Sequence, residues 1–385
     1  MRSLRQFCIE AALPFLTSRL LIVGILLFCS QLELSSVPAK EGAIFHAALQ
    51  KNADTLLPAL EKIARLADAR WYLDIAATGY ADGPATTSEP KNWVFFPLFP
   101  LLIRAVATLV GSPLLAAVVI SNISFFAALI VFQHYLLGLG ATESERRFAL
   151  WLICLFPTSY FFSLPHTESL FFLLIIAAFS ATHSGRYLTA GTILSLATAC
   201  RPTGLLLLPA FALALAERRV LFRLPGLLAL ALAPLGVCSF MLFLWNKTGD
   251  PFAFASNQAA WGRGQQTIVE LAAKLLPYPE ALMRPWDAVV LNALAALAAV
   301  VTGIIYFFER RPSWSAVMLV PVIVPLATGT VQSMCRFVMV LFPLYLLAAK
   351  LCSSERMAPL LLVLACSLLT GMCAMLAFLV TAAMA

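Results

Sequence analysis

Three short turns between apolar stretches carry the charged side chains that stand out in this sequence. Glu168 lies in SLPHTESLFF together with His166, Arg201 lies in TACRPTGLL, and Arg336 lies in VQSMCRFVM. An ionisable side chain at the edge of an apolar stretch is costly to bury, which makes it a candidate for function. Simpler roles stay open, namely helix capping by Thr167 or Glu168 and snorkelling by the arginines.

The types of these residues suit the transfer of a group from a phosphate-linked donor. A guanidinium binds phosphate through a planar fork of N–H groups and stays charged when water is excluded, so Arg201 and Arg336 are candidates to hold the leaving phosphate. A carboxylate near an acceptor hydroxyl can act as a general base, and Asp68 is the candidate. The adjacent Trp71 and Tyr72 offer aromatic faces to a sugar.

Composition indicates where these residues are placed. Of 385 residues, 61% are hydrophobic and 12% are charged, whereas soluble domains average about 45–50% apolar and about 25% charged residues. A soluble core of ordinary size cannot absorb this apolar surplus. The length predicts an all-α polytopic membrane protein, a single domain over 1–385, with about eleven transmembrane helices.

Basic residues mark one side of the predicted spans. They occupy short polar breaks between apolar runs, and the positive-inside tendency places those breaks and the N-terminus in the cytoplasm. The predicted spans are 12–33, 113–138, 148–164, 167–183, 188–200, 203–216, 224–246, 287–308, 314–332, 336–350 and 357–382. Two long segments, 34–112 and 247–286, are then extracytoplasmic.

The two outer segments are expected to lie against the membrane surface. The apolar spacing of IARLADARWYLDIAATGY, residues 63–80, predicts an amphipathic surface helix. Residues 93–110 are apolar enough to cross the membrane. If they did, every later loop with basic residues would lie outside the cytoplasm, against the positive-inside tendency. We therefore expect this stretch to form an interfacial helix. The stretch GDPFAFASNQAAWGR is either an amphipathic re-entrant or interfacial helix or a wall of the donor or acceptor cleft. Candidate sugar or acceptor contacts are Trp71, Tyr72, His166, Gln258, Trp261 and Arg263.

Several sequence blocks occur in an order that resembles a known family. They are ADARWYLDIAATGY, FFPLFPLLIR, LFPTSYFFSLPHTESLFFLL, ACRPTGLLLLPA, TGDPFAFASNQAAWGR and RFVMVLFPLYLL, and they extend over roughly residues 67–345. In content and order they resemble the PIG-V-type mannosyltransferases of the GT-C superfamily, and the short chain is more similar to bacterial homologues. The resemblance implies GT-C architecture with a large first outer loop.

The resemblance also implies a reaction and residue roles. The donor would be a polyprenyl- or dolichyl-phosphate sugar, typically mannose, used extracytoplasmically by inverting displacement without a nucleotide sugar. The family's acid in the first outer loop falls on Asp68, but Ala67 stands where the family has tryptophan, so Asp74 is the alternative. The Thr-Glu-Ser element supports Glu168 as a catalytic residue, which would orient the sugar or acceptor or share the role of base. The RPTG block supports Arg201 as a ligand of the donor phosphate. The glycosylphosphatidylinositol acceptor of eukaryotic relatives does not carry over, so a lipid-linked or glycan acceptor stays open.

Two other classes of protein remain as alternatives. A transporter or flippase for a lipid-linked or small solute would commonly show internal repeats and polar residues at mid-membrane depth; this sequence shows no repeat, and its charged candidates lie at the outer edge. An inactive enzyme-like scaffold is the third reading. The sequence has no basic patch with interleaved aromatic residues, so we do not expect nucleic acid as a partner. No cofactor is evident. A divalent metal is possible, but no spacing of ligand residues indicates one. We expect the bacterial cytoplasmic membrane as the location.

Overall fold

The structure, a computed structural model, describes residues 4–30, 61, 63–65, 67–263, 289–354 and 356–382. Every regular element in these residues is helical. The α-helices are α1 (Leu4–Ser30), α2 (Ala69–Thr78), α3 (Leu98–Val110), α4 (Pro113–Gly138), α5 (Glu143–Cys154), α6 (Glu168–His183), α7 (Tyr187–Cys200), α8 (Leu208–Glu217), α9 (Leu224–Leu232), α10 (Leu235–Thr248), α11 (Ala253–Ser256), α12 (Val289–Phe308), α13 (Pro312–Leu326), α14 (Met334–Met339), α15 (Pro343–Cys352) and α16 (Met357–Ala382). The 3₁₀ helices are Asn92–Val94, Ser159–Phe162, Pro202–Leu207 and Asn257–Trp261.

Several of these helices can cross a membrane. Within the described ranges, five stretches have the required length and apolar character: Arg5–Cys29, Pro113–Gly138, Leu224–Thr248, Val289–Phe308 and Met357–Ala377. Shorter apolar helices, α6, α7 and α13 among them, pack between these long ones. The prediction of an all-α polytopic membrane protein is confirmed, whereas the count of eleven spans stays a prediction.

One predicted span is interrupted in the structure. The stretch 148–164 does not form a continuous helix, because α5 ends at Cys154 and the chain continues through the 3₁₀ helix Ser159–Phe162. Pro157 lies between them, and a proline disfavours helical backbone in the residue before it. The interruption leaves an irregular segment directly before α6, where Glu168 lies.

The outer part of the molecule is built from short helices. With 13 residues, α3 is about 20 Å long, which is less than the hydrocarbon thickness of about 30 Å and supports the interfacial expectation for 93–110. The predicted helix over 63–80 is shorter than expected, since α2 begins at Ala69 and Ala67 has a left-handed φ of 51°. Residues 34–60, 62, 66 and 264–286 of the predicted outer segments lie outside the described residues.

Glycines bring the helices around α7 into close contact. A Cβ on Gly191 of α7 would collide with the backbone of Ala229 in α9, and one on Gly236 of α10 would collide with the carbonyl of Ser195 in α7. Small residues allow such backbone contact between membrane helices. Because α7 ends at Cys200, this packing fixes the position of the turn that carries Arg201.

Candidate active site

Four charged side chains from four distant parts of the sequence meet at one point. Arg336 donates from Nε and Nη2 to Oε1 of Glu168 at 2.9 and 2.6 Å, and Nη1 of Arg201 lies 3.0 Å from the same oxygen. Nη2 of Arg336 also lies 2.8 Å from Oδ2 of Asp68. We call these residues the acid–arginine cluster. The structure thus brings together both predicted acids and both predicted arginines.

The geometry does not support the two simpler roles of these residues, helix capping and snorkelling. Neither Thr167 nor another side chain caps α6 through a hydrogen bond at its N-cap position, and Glu168 is fully buried in an ion pair. Arg201 and Arg336 are only 7% and 9% exposed, so neither extends into water as a snorkelling arginine does. Buried charges of this kind require partners, and the cluster supplies them.

Local sequence places the two arginines. Arg201 precedes Pro202, which disfavours helical backbone, and its extended φ of −150° and ψ of 150° end α7 there. Arg336 lies in the short helix α14, which follows Ser333 with a left-handed φ of 64°. In the first turn of α14, the N–H of Cys335 donates to Oδ1 of the buried Asn292 at 2.8 Å, which ties this helix to α12.

Asp68 differs from Glu168 in its access to solvent. It lies at the start of α2, directly after the left-handed Ala67, and its side chain is 32% exposed whereas that of Glu168 is fully buried. Asp74, the alternative from sequence, is exposed on α2, six residues further along the chain. Six residues turn an α-helix by about 240°, so the two acids occupy different faces. The ion pair with Arg336 belongs to Asp68.

The charges of the cluster set the ionisation of its neighbours outside the spans. Burial alone would raise the pKa of Asp68, but the positive charge of Arg336, with His166 and a hydrogen bond from Arg336, holds that pKa below its usual value. His166 is fully buried, and burial together with Arg336 lowers its pKa to about 4 against the opposing acids. At neutral pH the acid is therefore ionised and the imidazole is uncharged. Neither ring nitrogen of His166 has a hydrogen-bond partner in the part of the chain that the structure describes.

Aromatic rings support the guanidinium groups. The Cζ atom of Arg336 lies 4.3 Å from the centre of the Phe161 ring. The Cζ atoms of Arg201 and Arg263 lie 5.6 and 5.5 Å from the centre of the Phe337 ring. Cation–π contact is stronger where water is excluded, so these rings help hold the arginines in place. Arg263 thus joins the cluster through a ring that it shares with Arg201.

The remaining predicted contacts form a second group beside the cluster. Trp71 stacks on Phe95 at 5.7 Å between centroids, and Trp261 meets both rings edge-on at 5.2 and 5.5 Å. We call these three residues the aromatic triad; the indole N–H of Trp261 is buried without a hydrogen-bond partner. The hydroxyl of Tyr72 lies 3.5 Å from that of Thr167, which links α2 to the start of α6.

The last of the predicted sugar or acceptor contacts is Gln258. Gln258 is half-buried in the 3₁₀ helix Asn257–Trp261, where its carbonyl accepts the N–H of Arg263 at 3.2 Å. Within the described residues, no hydrogen bond joins its side chain to the acid–arginine cluster. Its predicted role stays a prediction.

Two residues that position the site were not found from sequence. Asn257 is fully buried, donates to the carbonyls of Thr86 and Glu89 at 2.7 and 2.8 Å, and accepts the N–H of Lys91, so it joins the two outer segments. Arg19, buried inside α1, donates to the carbonyl and hydroxyl of Ser159. Arg19 therefore holds the 3₁₀ helix that contains Phe161. Arg19 could have been noticed from the sequence, because it is a basic residue inside a predicted span. Nothing in the sequence distinguished Asn257.

The described residues contain no group of three or more His, Cys, Asp and Glu side chains arranged to hold a metal ion.

Comparison with known proteins points to one class of enzyme. Residues 84–217, which include Glu168 and Arg201, match the family described as alpha-(1->6)-mannopyranosyltransferase, N-terminal domain. The chain is 33% identical over 149 residues to GPI alpha-1,6-mannosyltransferase 2 of Cricetulus griseus, which covers 36% of this chain and 28% of the relative. The Homo sapiens protein of the same name is 33% identical over 148 residues, 36% of this chain and 29% of the relative. No solved structure matches significantly.

The matched family and both relatives are mannosyltransferases by their descriptions. The matched region covers less than a third of the length of the two relatives. The PIG-V type itself and a bacterial origin stay predictions.

Proposed function

We propose that this protein is a membrane glycosyltransferase that moves a hexose, with mannose expected, from a polyprenyl-phosphate donor to a lipid-linked or glycan acceptor. The observation that carries the proposal is the acid–arginine cluster, in which two acids and two arginines share one buried point. The match of residues 84–217 to a mannopyranosyltransferase domain supports the choice of sugar.

In the proposed reaction the acceptor oxygen attacks the anomeric carbon of the sugar. The bond between that carbon and the bridging phosphate oxygen breaks, the acceptor proton moves to a carboxylate, and the lipid phosphate leaves with the bonding electrons. Direct displacement from the opposite side inverts the anomeric configuration. The protein must therefore supply a base for the acceptor proton and positive charge for the leaving phosphate.

We assign the base to Asp68. Its exposed fraction of 32% gives an acceptor hydroxyl access to the carboxylate, whereas fully buried Glu168 offers none. The lowered pKa of Asp68 keeps it ionised at neutral pH. Glu168 then holds both arginines in position through its Oε1 atom.

We assign the leaving phosphate to Arg201, assisted by Arg336 and Arg263. The cluster itself is neutral, since two carboxylates balance two guanidinium groups. A phosphate adds negative charge, so a further cation is needed near it. Arg263 contacts the ring of Phe337 that Arg201 also contacts, which makes it the third cation of the site.

We place the sugar between the cluster and the aromatic triad. Trp71 and Trp261 supply aromatic rings there, and the indole nitrogen of Trp261 has no hydrogen-bond partner among the described residues. A buried polar group without a partner costs about 1–3 kcal/mol, which a bound ligand recovers. We place this chemistry on the extracytoplasmic face of the membrane, as the positive-inside pattern predicts.

The proposal is tested with purified protein reconstituted in liposomes. A polyprenyl-phosphate mannose donor, a lipid extract as the source of acceptor, and radiolabelled sugar are supplied together. We expect release of free polyprenyl phosphate in step with a new glycosidic bond. Movement of the donor or of solute across the bilayer without bond formation would support the transporter instead.

A further inference from the structure

A second site lies at the far end of α2. A cavity of about 630 Å³ is enclosed by the end of α2, by α3, by Ala199 of α7 and by α10. Its volume falls in the range of about 300–1,000 Å³ that is typical of ligand sites. None of its lining residues belongs to the acid–arginine cluster. We call it the lateral cavity.

The position of the lateral cavity relates it to one leaflet of the bilayer. Its lining residues on α10 run from Gly236 to Lys247, within the candidate span Leu224–Thr248. Eleven helical residues rise about 16 Å, close to half of the hydrocarbon thickness of about 30 Å. Leu101 and Phe243, which also line the cavity, are 58% and 38% exposed on the apolar outer surface. A lipid chain can therefore enter sideways from the bilayer.

Two cationic side chains line the lateral cavity. Lys247, near the end of α10, pairs with the exposed Asp82. Arg104 donates to the carbonyls of Ala76 and Ile75 at the end of α2. An exposed ion pair contributes about 0–1 kcal/mol, so Lys247 can exchange Asp82 for another anion at little cost. Two cations against one acid make the charge of the lining positive, which complements a lipid phosphate.

We propose that the lateral cavity binds one acyl chain of an anionic lipid, with the lipid phosphate at Arg104 and Lys247, and that this lipid anchors the acceptor. This assignment rests on the proposed function. The donor phosphate is assigned to Arg201, which contacts Phe171 of α6 and Phe337 of α14 and is not among the residues that line the lateral cavity.

The length of α2 adds a requirement on the acceptor. From Asp68 to Thr78 the helix rises about 15 Å, so the lipid phosphate and the base are separated by roughly that distance. The acceptor hydroxyl must bridge this gap along α2. A lipid with an extended, glycosylated headgroup meets the requirement, whereas a phospholipid with a small headgroup binds in the lateral cavity without reaching Asp68.

The test is photolabelling of the protein in phosphatidylcholine nanodiscs. The probe is phosphatidylglycerol with a diazirine in its acyl chain, and labelled peptides are identified by mass spectrometry. We expect labelling of the residues that line the lateral cavity. Ser239→Trp, which fills the cavity from α10, should abolish the labelling, whereas the matched Cys238→Trp on the far side of the same helix should retain it.

The headgroup is tested with the same system. Lys247→Gln should reduce labelling by phosphatidylglycerol about fivefold, as expected for one lost cation near a lipid phosphate, and leave labelling by a phosphatidylcholine probe unchanged. Equal labelling of both tryptophan variants, or preferential labelling of the lateral cavity by a photoactive polyprenyl phosphate, would overturn the proposal. Photolabelling does not require transfer of a sugar. If the protein shows no transferase activity but the lateral cavity is still labelled, the proposed function would be contradicted and the lipid site would stand.

Discussion

At the scale of single residues, the account depends on how four charges are divided between binding and chemistry. Glu168 is the fully buried member of the cluster, and Asp68 is its most exposed member. Two predictions test the roles of these charges, and a third concerns the neighbouring His166.

Asp68→Asn should lower the transfer rate by about 10²–10⁴-fold, because the acceptor hydroxyl loses its base. Binding of the donor should be retained, since the asparagine keeps the size of the side chain. The matched control is Asp74→Asn, an exposed position on the same helix, which should transfer normally. Transfer by the Asp68 variant at close to the wild-type rate would remove Asp68 from the mechanism.

Arg336→Ala should destabilise the protein by about 3–5 kcal/mol, because it leaves Glu168 buried with only Arg201 as a partner. Thermal unfolding in detergent measures this loss, and Arg147→Ala, at an exposed position, is the control. If the Arg336 variant unfolds at the wild-type temperature, the buried ion pair does not exist in the form described.

His166 should make stability fall in mildly acidic solution. Its pKa is about 4 in the folded protein and 6.5 as a free side chain, so only the unfolded chain takes up its proton between these values. As pH falls from 6.5 to 4, the protein should lose about 3 kcal/mol of stability through this residue. Asp68 acts separately: its lowered pKa favours the folded state above about pH 4 and loses this effect below it.

Unfolding temperatures at pH 7 and 4.5 test the role of His166. His166→Gln should reduce the difference between the two, and His134→Gln, at an exposed position, should leave it unchanged. An unchanged difference in the His166 variant would mean that the imidazole takes up its proton in the folded state as well.

At the scale of the elements, close packing of α7 against α10 determines where Arg201 lies. Gly236→Ala should push these helices apart, because the added Cβ meets the carbonyl of Ser195 and the hydroxyl of Thr198. We expect lower thermal stability and a raised KM for the donor. Gly371→Ala is the matched control in α16, since its Cβ would meet nothing within 4 Å. Equal effects of both substitutions would show that only helix propensity had changed.

Sequence predicted the elements that long apolar runs define and missed those that single residues interrupt. The bounds of α4 agree with the prediction because nothing breaks the run between Ser112 and Gly138. The left-handed conformation of Ala67 gave no signal in the sequence, whereas the break in the span 148–164 follows from Pro157 itself. At the site, rare charges in an apolar sequence pointed to Glu168. The rings under the arginines, such as Phe337, gave no signal because they lie in ordinary apolar runs.

At the scale of the whole molecule, the structure separates the proposed donor and acceptor sites along α2. The acid–arginine cluster lies at the start of that helix and the lateral cavity at its end. Asn257 holds the outer segments together over this region. Under the proposed function, this arrangement brings two lipid-borne substrates together at the membrane surface.

The most direct test of the transferase mechanism follows the oxygen that bridges sugar and phosphate. A donor of defined anomeric configuration is labelled with ¹⁸O at that position, and both products are analysed by mass spectrometry and nuclear magnetic resonance. The account predicts that all of the label leaves in polyprenyl phosphate and that the new glycosidic bond has the inverted configuration. Label found in the glycosidic product, or retention of configuration, would contradict direct displacement at the acid–arginine cluster.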